Sequence, residues 1–219
     1  MIQRSIMKHS RYYLFGLLAP VVFILTAILG GVLRPGYSHA ADTVSELFAP
    51  GSPNRLLLSA FYLLFSVCLI FFGVGLRHFV QSIGKKIQLG SWASFLFILV
   101  GVLNILTATV FPQDPWGTEP TFPGKMHQYL SAIITFLSFG YMILFGMWFL
   151  MTGLKKNFCI YSLATVAGAV GAGVWFTASV GTPVMGIAER VVILIGLQYT
   201  LVLSILLIRS EVKSPSVPG

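Results

Sequence analysis

Three polar stretches between long apolar runs hold the residues whose types could carry chemistry. They read YSHAADTVSELFAPGSPNR from residue 37, FPQDPWGTEPTFPGKMHQYLS from residue 111 and GTPVMGIAERVVILIG from residue 181. Charged residues make up only 9% of the chain, so their concentration in these connectors is the main functional signal. The candidates are His39 and Asp42 in the first stretch, Asp114 and His127 in the second, and Glu189 and Arg190 in the third.

Two imidazoles with one or two carboxylates form a ligand set that suits zinc. A zinc ion held by these groups would lower the pKa of a bound water for hydrolysis of a lipid-linked ester or phosphoester. The chain has neither an HxxxH nor a CxxC motif, and the ligands would come from separate loops. Metal-free acid–base chemistry by a histidine–aspartate pair is a further alternative. The candidate zinc ligands are His39, His127, Asp42 and Asp114.

Two other interpretations need no reaction. In the first, a receptor, lipid carrier or small transporter has a pocket lined by Asn104 and the Glu189–Arg190 pair. In the second, the acids and bases in and around these polar stretches, which we expect on the outer side of a membrane, form ion-pair and capping networks that hold the loops over a helix bundle. Such structural networks perturb charges as active sites do. The acids are Asp42, Glu46, Asp114, Glu119 and Glu189, and the bases are Arg34, Arg55, Lys125 and Arg190.

The first polar stretch contains local signals for two helix starts. Thr43 and Glu46 have the spacing of a capping box, in which the side chain of each residue accepts a hydrogen bond from the backbone N–H of the other. Ser52-Pro53 is typical of an N-cap followed by the first residue of a helix, here the second span. His39 and Asp42 have no such structural explanation, and their spacing of three lets both point the same way on a helix.

The third stretch places an ionisable pair near the start of the last span. Thr182-Pro183 predicts an N-cap and first helical residue. Glu189 and Arg190 would then lie about two turns into the helix, roughly 10 Å at 1.5 Å per residue. Ionisable groups at that depth usually face a bundle interior or a wet cavity. A start at Gly186 would instead leave the pair at the surface.

Composition predicts the class of protein that must position these residues. The 219 residues have a mean hydropathy of +0.87 and are 56% hydrophobic, with 14 Lys+Arg and 6 Asp+Glu. This balance is typical of a polytopic membrane protein. The apolar runs are continuous rather than alternating, which predicts an all-α bundle of transmembrane helices. The six predicted spans are 14–33, 56–76, 92–111, 129–151, 159–178 and 187–208.

The distribution of basic residues predicts the orientation. Ten of the 14 Lys+Arg residues fall in the N-terminus, the 77–90 loop, the 152–157 turn and the C-terminal tail. The positive-inside rule then puts both termini in the cytoplasm, N-in and C-in. The net charge of +8 is explained by this topology, and membrane lipids with anionic headgroups are the expected partner. The bases are dispersed over four segments, so a nucleic-acid partner is not expected.

The chain is expected to form one domain over residues 1–219, with a disordered tail at 210–219. The first apolar run of about 20 residues exceeds the 7–15 of a cleaved signal peptide, so we expect it to remain as a span. Cys68 and Cys159 fall in different spans at different depths, so no disulfide is expected.

Two features within the spans predict helix packing. Ala164, Gly168 and Ala172 recur at intervals of four, and such small faces let helix backbones approach closely. We expect this face to pack inside the protein rather than to form a dimer seam. Asn104 is an amide deep in the third span, and we expect it to form a hydrogen bond between helices.

Several short motifs occur in order along almost the whole chain. They are the SH…D…SEL run with GSPNR after it, FPQDPWG followed by His127, and GIAER at the opening of the last span. In these motifs the chain resembles the six-span prokaryotic integral membrane family catalogued as domain of unknown function 998. The resemblance implies a six-helix protein of a prokaryotic plasma membrane without an assigned activity. It supports the same candidate residues and supplies no reaction.

These observations predict a six-helix bundle with an outward polar pocket roofed by the first two outer loops. The expected function is binding or modifying a lipid or small amphiphile at the outer leaflet. A metal-dependent membrane hydrolase, a small transporter or receptor, and a purely structural network are the alternatives. We expect His39 and His127 to approach each other with Asp42 or Asp114 between them. Imidazoles more than about 10 Å apart would rule out a shared zinc, since Zn–N bonds are 2.0–2.1 Å.

Overall fold

The computed structural model describes the backbone of residues 2–212 and the side chains of residues 11–210. Over these residues the chain is helical, without a β-strand. A single 3₁₀ turn, Ser45–Phe48, lies in the connection between the first two long helices. The six long helices are α1 (Ile2–Leu33), α2 (Arg55–Ile83), α3 (Ile87–Thr109), α4 (Phe122–Thr152), α5 (Asn157–Ser179) and α6 (Met185–Val212).

All six helices are long and apolar enough to cross a membrane, which confirms the predicted fold class. In each helix, only 28% to 39% of the most apolar window is buried inside the protein. The remaining apolar surface needs a lipid environment, because contact between this much apolar surface and water has a high free-energy cost. The protein is therefore a multi-pass membrane protein. Which end faces the cytoplasm stays a prediction.

The helices extend beyond the apolar runs that predicted them. α2 continues to Ile83 rather than ending at residue 76, and α4 begins at Phe122 rather than at residue 129. Helical hydrogen bonding does not depend on apolar side chains, so it continues into the polar residues at headgroup level. α6 reaches Val212, so it extends into the first residues of the tail predicted to be disordered, and the disorder of that tail stays a prediction. The rest of that predicted tail lies outside the described residues.

The helices form a closed ring filled with aromatic side chains. Each long helix packs against its neighbours in the chain, and α6 packs back against α1. Inside the ring, the Phe97 ring lies 5.5 Å from Phe72 and 4.8 Å from Tyr141, measured between centroids. Tyr199 of α6 follows at 6.0 Å from Tyr141. Tilted and edge-to-face pairs at these distances are favourable, and here they connect α2, α3, α4 and α6.

The small-residue face of α5 does not pack as predicted. Ala172 is buried, but Ala164 and Gly168 are exposed, and a Cβ added at Gly168 would meet nothing within 4 Å. A spacing of four residues drifts by about 40° per step around a helix of 3.6 residues per turn. The face therefore turns from the outside to the inside of the bundle along its length, and the prediction is wrong for two of its three residues.

Both cysteines are free thiols, as predicted. Cys68 is buried in α2, and Cys159 is half-buried near the start of α5.

Candidate functional site

The loop between α1 and α2 lies directly against the first turn of α6. The backbone N–H of Ile187 donates to the carbonyl of Ala40 at 3.0 Å. At Gly186, an added Cβ would run into the carbonyl oxygen of Asp42 and would lie 2.9 Å from that of His39. The absence of a side chain at Gly186 is therefore what allows the loop to dock on α6.

Arg190 holds this loop through both terminal nitrogens of its guanidinium. Nη1 donates to the carbonyls of Asp42 at 2.8 Å and Gly186 at 2.9 Å. Nη2 donates to the Tyr37 hydroxyl at 2.6 Å and to Nδ1 of His39 at 3.2 Å. Because a guanidinium only donates, Nδ1 of His39 must be the acceptor and Nε2 carries the proton. Arg190 thus fixes the tautomer and the orientation of that imidazole.

Tyr37 is the centre of this cluster. Its hydroxyl donates to the carbonyl of Thr43 at 2.8 Å while it accepts from Arg190. The guanidiniums of Arg34 and Arg190 each lie 5.7 Å from the centroid of its ring. Burial raises the pKa of Tyr37 to about 12, and this outweighs the neighbouring Arg190, which lowers it. The phenol therefore stays protonated at physiological pH and can donate to the loop backbone.

Glu189 lies next to Arg190 in the chain but binds a different part of the loop. Its carboxylate accepts hydrogen bonds from the backbone N–H of Val44 and, at 3.1 Å, from the Ser45 hydroxyl. These are the residues at the start of the 3₁₀ turn, whose first donors have no partner within the turn. Glu189 therefore fastens the 3₁₀ turn to α6.

α6 begins at Met185, which is close to the alternative start at Gly186 and contradicts a start at Pro183. The Thr182 hydroxyl donates to the carbonyl of Ser179 at 2.7 Å, at the end of α5, and accepts from the N–H of Val184 at 3.4 Å, just before α6. Glu189 and Arg190 accordingly lie about one turn into the helix, roughly 6 Å at 1.5 Å per residue. Both side chains are half-buried near the start of the helix.

Glu46 connects the first loop to the loop between α3 and α4. Its buried carboxylate accepts from the N–H of Thr43 at 3.3 Å, which is one half of the predicted capping box, and from the N–H of Trp116 at 3.2 Å. Its carbonyl accepts from the Arg34 guanidinium at 2.9 Å and from the Ser52 hydroxyl at 2.8 Å. The prediction that Ser52 caps α2 is wrong, because α2 begins at Arg55 and Asn54 is its N-cap.

A different residue precedes α2. The helix begins at Arg55 after Asn54, which has a left-handed backbone conformation with φ 57° and makes no side-chain cap.

Asp114 organises the start of α4. Its carboxylate is 8% exposed and accepts from the N–H of Thr121 at 2.7 Å and from its hydroxyl at 2.8 Å. Thr121 is in turn the N-cap of α4 and accepts from the N–H of Gly124 at 3.3 Å. A Cβ at Gly124 would collide with the Asp114 carboxylate. Asp114 is thus fully engaged in holding a helix start.

His127 joins α4 to the end of α3. Its Nδ1 donates to the carbonyl of Phe111 at 2.9 Å, with a longer contact to that of Thr107 at 3.4 Å. Asn104 joins α3 to α2, because its Oδ1 accepts from the Tyr62 hydroxyl at 2.7 Å. Its Nδ2 donates within α3, to the carbonyl of Val100 at 2.9 Å. The hydrogen bond predicted for Asn104 is confirmed.

The four candidate zinc ligands are divided between two sets of contacts. His39 and Asp42 lie in the cluster around Arg190, where the Asp42 carboxylate accepts from the N–H of Ser38 at 2.7 Å. Asp114 and His127 lie at the start of α4 with other partners. Within the part of the chain that the structure describes, no group of three or more His, Cys, Asp or Glu side chains could hold a metal ion. The shared zinc site stays a prediction that these contacts do not support.

Sequence reasoning missed Tyr37 and Thr121, and it named Arg34 only as one of the bases of a charged network. Tyr37 opens the first polar stretch, and a tyrosine close to a histidine near the end of a span was an available signal for a polar anchor. Thr121 precedes Phe122-Pro123, which is a helix-start pattern with proline in the first turn. None of the three was selected as a candidate for chemistry.

The chain was compared with protein families, curated proteins and solved structures. The profile of a family described as "Protein of unknown function (DUF998)" matches residues 17–206, which include all of the candidate residues described above. No curated protein and no solved structure matches the chain. The match spans the greater part of all six helices and both polar loops. The chain is therefore a member of the DUF998 family of membrane proteins.

Proposed function

We propose that this membrane protein binds an anionic amphiphile, such as an anionic phospholipid, at the end of the bundle where the α1–α2 loop meets α6. One observation carries the proposal: two guanidiniums, those of Arg34 and Arg190, flank the same tyrosine ring. Each lies 5.7 Å from the centroid of the Tyr37 ring. Two cations beside one side chain can attract an anionic group.

The charges of these two groups are not neutralised by the hydrogen bonds that hold them. Arg34 donates to a backbone carbonyl, and Arg190 donates to two carbonyls, a phenol and an imidazole. Within the described residues, none of these bonds goes to a carboxylate. The nearby Glu189 carboxylate accepts its hydrogen bonds from Val44 and Ser45, and it interacts with Arg190 only through space. Within the described residues, Arg190 uses all four N–H groups of its terminal nitrogens, and Arg34 uses one N–H. An anionic group at this place would therefore accept its charge-assisted hydrogen bonds mainly from the other N–H groups of Arg34, and such bonds are about twice as strong as neutral ones.

The position of the site favours a lipid or another amphiphile as the source of the anion. Arg34 follows directly on the last residue of α1, and Arg190 lies in the first turns of α6, so both are at headgroup depth. Both are half-buried and His39 beside them is exposed, which leaves an approach from the membrane surface. With the orientation predicted from the basic residues, this is the outer leaflet.

Arg34→Gln tests the proposal with less disturbance than a change at Arg190, because Arg34 makes one hydrogen bond within the described residues. The protein would be placed in nanodiscs of phosphatidylcholine, and binding of phosphatidylglycerol would be measured by native mass spectrometry. Removing one charge-assisted hydrogen bond, about 1.5–3 kcal/mol, should weaken phosphatidylglycerol binding by about tenfold or more.

Arg55→Gln is the matched control. Arg55 lies at the same end of the bundle, at the start of α2, and its side chain is not part of the cluster. This variant should bind phosphatidylglycerol nearly as wild type does. Equal losses in the two variants would mean that only diffuse charge attracts the lipid. Equal binding of phosphatidylglycerol and phosphatidylcholine by the wild type would contradict the proposal outright.

A further inference from the structure

A narrow apolar groove of about 350 Å³ runs along the seam between α1 and α6. Its walls include Pro20 and Ile24 of α1, and Leu194, Gln198 and Leu201 of α6. Ile24 is 40% exposed and Leu194 is 48% exposed, so the groove opens toward the lipid rather than into the ring. The amide oxygen of Gln198 accepts from Tyr161 at 2.7 Å, which turns it toward α5. The groove is thus lined almost entirely by hydrocarbon.

The α6 wall of the groove leads up to Arg190. At 3.6 residues per turn, Leu194 lies about 40° and Leu201 about 20° from Arg190 around the helix axis. Residues this close in angle share one face of a helix. The guanidinium that we assign to the anionic headgroup therefore belongs to the same face that lines the groove.

The α1 wall leads up to the same place. Ile24 and Gly31 are seven residues apart and so lie within about 20° of each other around α1. A Cβ at Gly31 would collide with the imidazole of His39, so that ring packs on this face of α1. His39 in turn accepts from Arg190 at 3.2 Å. Both walls of the groove therefore end at the contact between His39 and Arg190.

The length of the groove matches one acyl chain. From Arg190 to Leu201 the helix rises by about 16 Å at 1.5 Å per residue. This is roughly half of a hydrocarbon core about 30 Å thick, which is the depth of one leaflet. An alkyl chain that descends from a headgroup at Arg190 would cover the groove and end near its lower limit.

We infer that the groove between α1 and α6 binds an acyl chain of the anionic amphiphile whose headgroup is held by Arg34 and Arg190. The inference rests on the proposed function and narrows its ligand to an anionic lipid with at least one long chain. A short soluble anion such as inorganic phosphate would gain the contacts to the guanidiniums but not those along the groove. The contacts of the acyl chain contribute to binding because they remove apolar surface from water.

The test uses phosphatidylglycerol with a photoreactive diazirine in one acyl chain, with the full-length protein in phosphatidylcholine nanodiscs. Phosphatidylcholine with the same chain is the headgroup control. Cross-links from phosphatidylglycerol should concentrate on Ile24, Leu194 and Leu201, as mapped by peptide mass spectrometry. Cross-links spread evenly over the lipid-facing surfaces of all six helices would overturn the inference.

Leu194→Trp should fill the groove and weaken phosphatidylglycerol binding by about tenfold, one decade of affinity. Ile24→Trp blocks it from the other wall and serves if the first variant does not fold. Leu163→Trp is the matched control, because Leu163 is 52% exposed on α5, away from the groove. It should bind as wild type does.

The possible failures can be told apart. If the groove-filling variants bind as wild type while Arg34→Gln is impaired, the headgroup site stands and the groove inference is wrong. The groove inference is also wrong if inorganic phosphate blocks cross-linking by the labelled phosphatidylglycerol as well as unlabelled phosphatidylglycerol does. If the wild type shows no preference for phosphatidylglycerol over phosphatidylcholine, the proposed function fails and this inference fails with it.

Discussion

Gly186 controls how closely the α1–α2 loop can approach α6. A methyl group at this position would overlap the Asp42 carbonyl and crowd that of His39. Gly186→Ala should lower the free energy of unfolding by about 1–3 kcal/mol, the usual effect of overpacking, as measured by thermal unfolding in detergent. Gly196→Ala is the control on the same helix, since a Cβ there meets nothing within 4 Å. Equal effects of the two changes would mean that the loop does not dock at Gly186.

The phenol of Tyr37 gives the cluster a pH dependence that can be measured. Burial raises the pKa of Tyr37 from its ordinary value of 10.0 to about 12. As the pH rises through this range, the unfolded chain loses the phenol proton before the folded protein does. Tyr37 should therefore contribute a fall in stability between pH 10 and 12, whereas its contribution is constant below pH 10.

Tyr37→Phe removes that titration. Its melting temperature should be lower than that of wild type near neutral pH, because the Thr43 carbonyl loses a donor and Arg190 loses an acceptor. Between pH 10 and 12 its melting temperature should fall less steeply than that of wild type. Parallel curves over this range would show that Tyr37 is not buried in this way.

Single residues could be selected from the sequence, but their partners could not. Glu189 and Arg190 stood out because charges are rare in this chain. Arg190 binds the carbonyl of Asp42, and every residue has a carbonyl, so no side-chain pattern indicates this partner. The pairing of His39 with His127 was suggested by their residue types alone. The structure gives His39 a guanidinium as its partner and His127 the carbonyl of Phe111.

At the scale of the helices, Asp114 and Thr121 determine where α4 begins. Asp114→Asn keeps one acceptor oxygen for two donors, so a buried donor of Thr121 loses its partner, at about 1–3 kcal/mol. Hydrogen exchange at the first amides of α4 should become faster than in wild type. Glu119→Gln is the control, since Glu119 is an exposed acid in the same loop. Unchanged exchange in Asp114→Asn would contradict this role.

The existence of the six helices followed from hydropathy, but their ends and faces did not. Apolar runs report the part of a helix that lies in hydrocarbon, so they underestimate α2 and α4, which continue into polar residues. Thr182-Pro183 has the residue types of a helix start, yet α6 begins only at Met185. The rotation of α5 depends on its neighbours, such as Tyr199, whose hydroxyl lies 3.0 Å from that of Ser162. The sequence of α5 does not indicate that Tyr199 will be its neighbour.

At the scale of the whole molecule, a ring of six helices separates two kinds of surface. Its interior is filled by aromatic rings, and most of its outer surface is apolar. The polar residues of the first two loops are used largely to hold the loops on the helix ends. Arg34 and Arg190 differ from these residues, since they are charged groups at the ends of membrane-spanning helices and their hydrogen-bond acceptors among the described residues are uncharged. The account of function depends on this difference.

An experimental structure in nanodiscs that contain phosphatidylglycerol would test the central claim most directly. The account predicts a phosphate beside the Arg190 guanidinium and within hydrogen-bond distance of the Arg34 guanidinium, about 2.7–3.2 Å between donor and acceptor. It also predicts an acyl chain that descends between α1 and α6. A structure in which both guanidiniums contact only protein acceptors, while phosphatidylglycerol is ordered elsewhere on the surface, would contradict it.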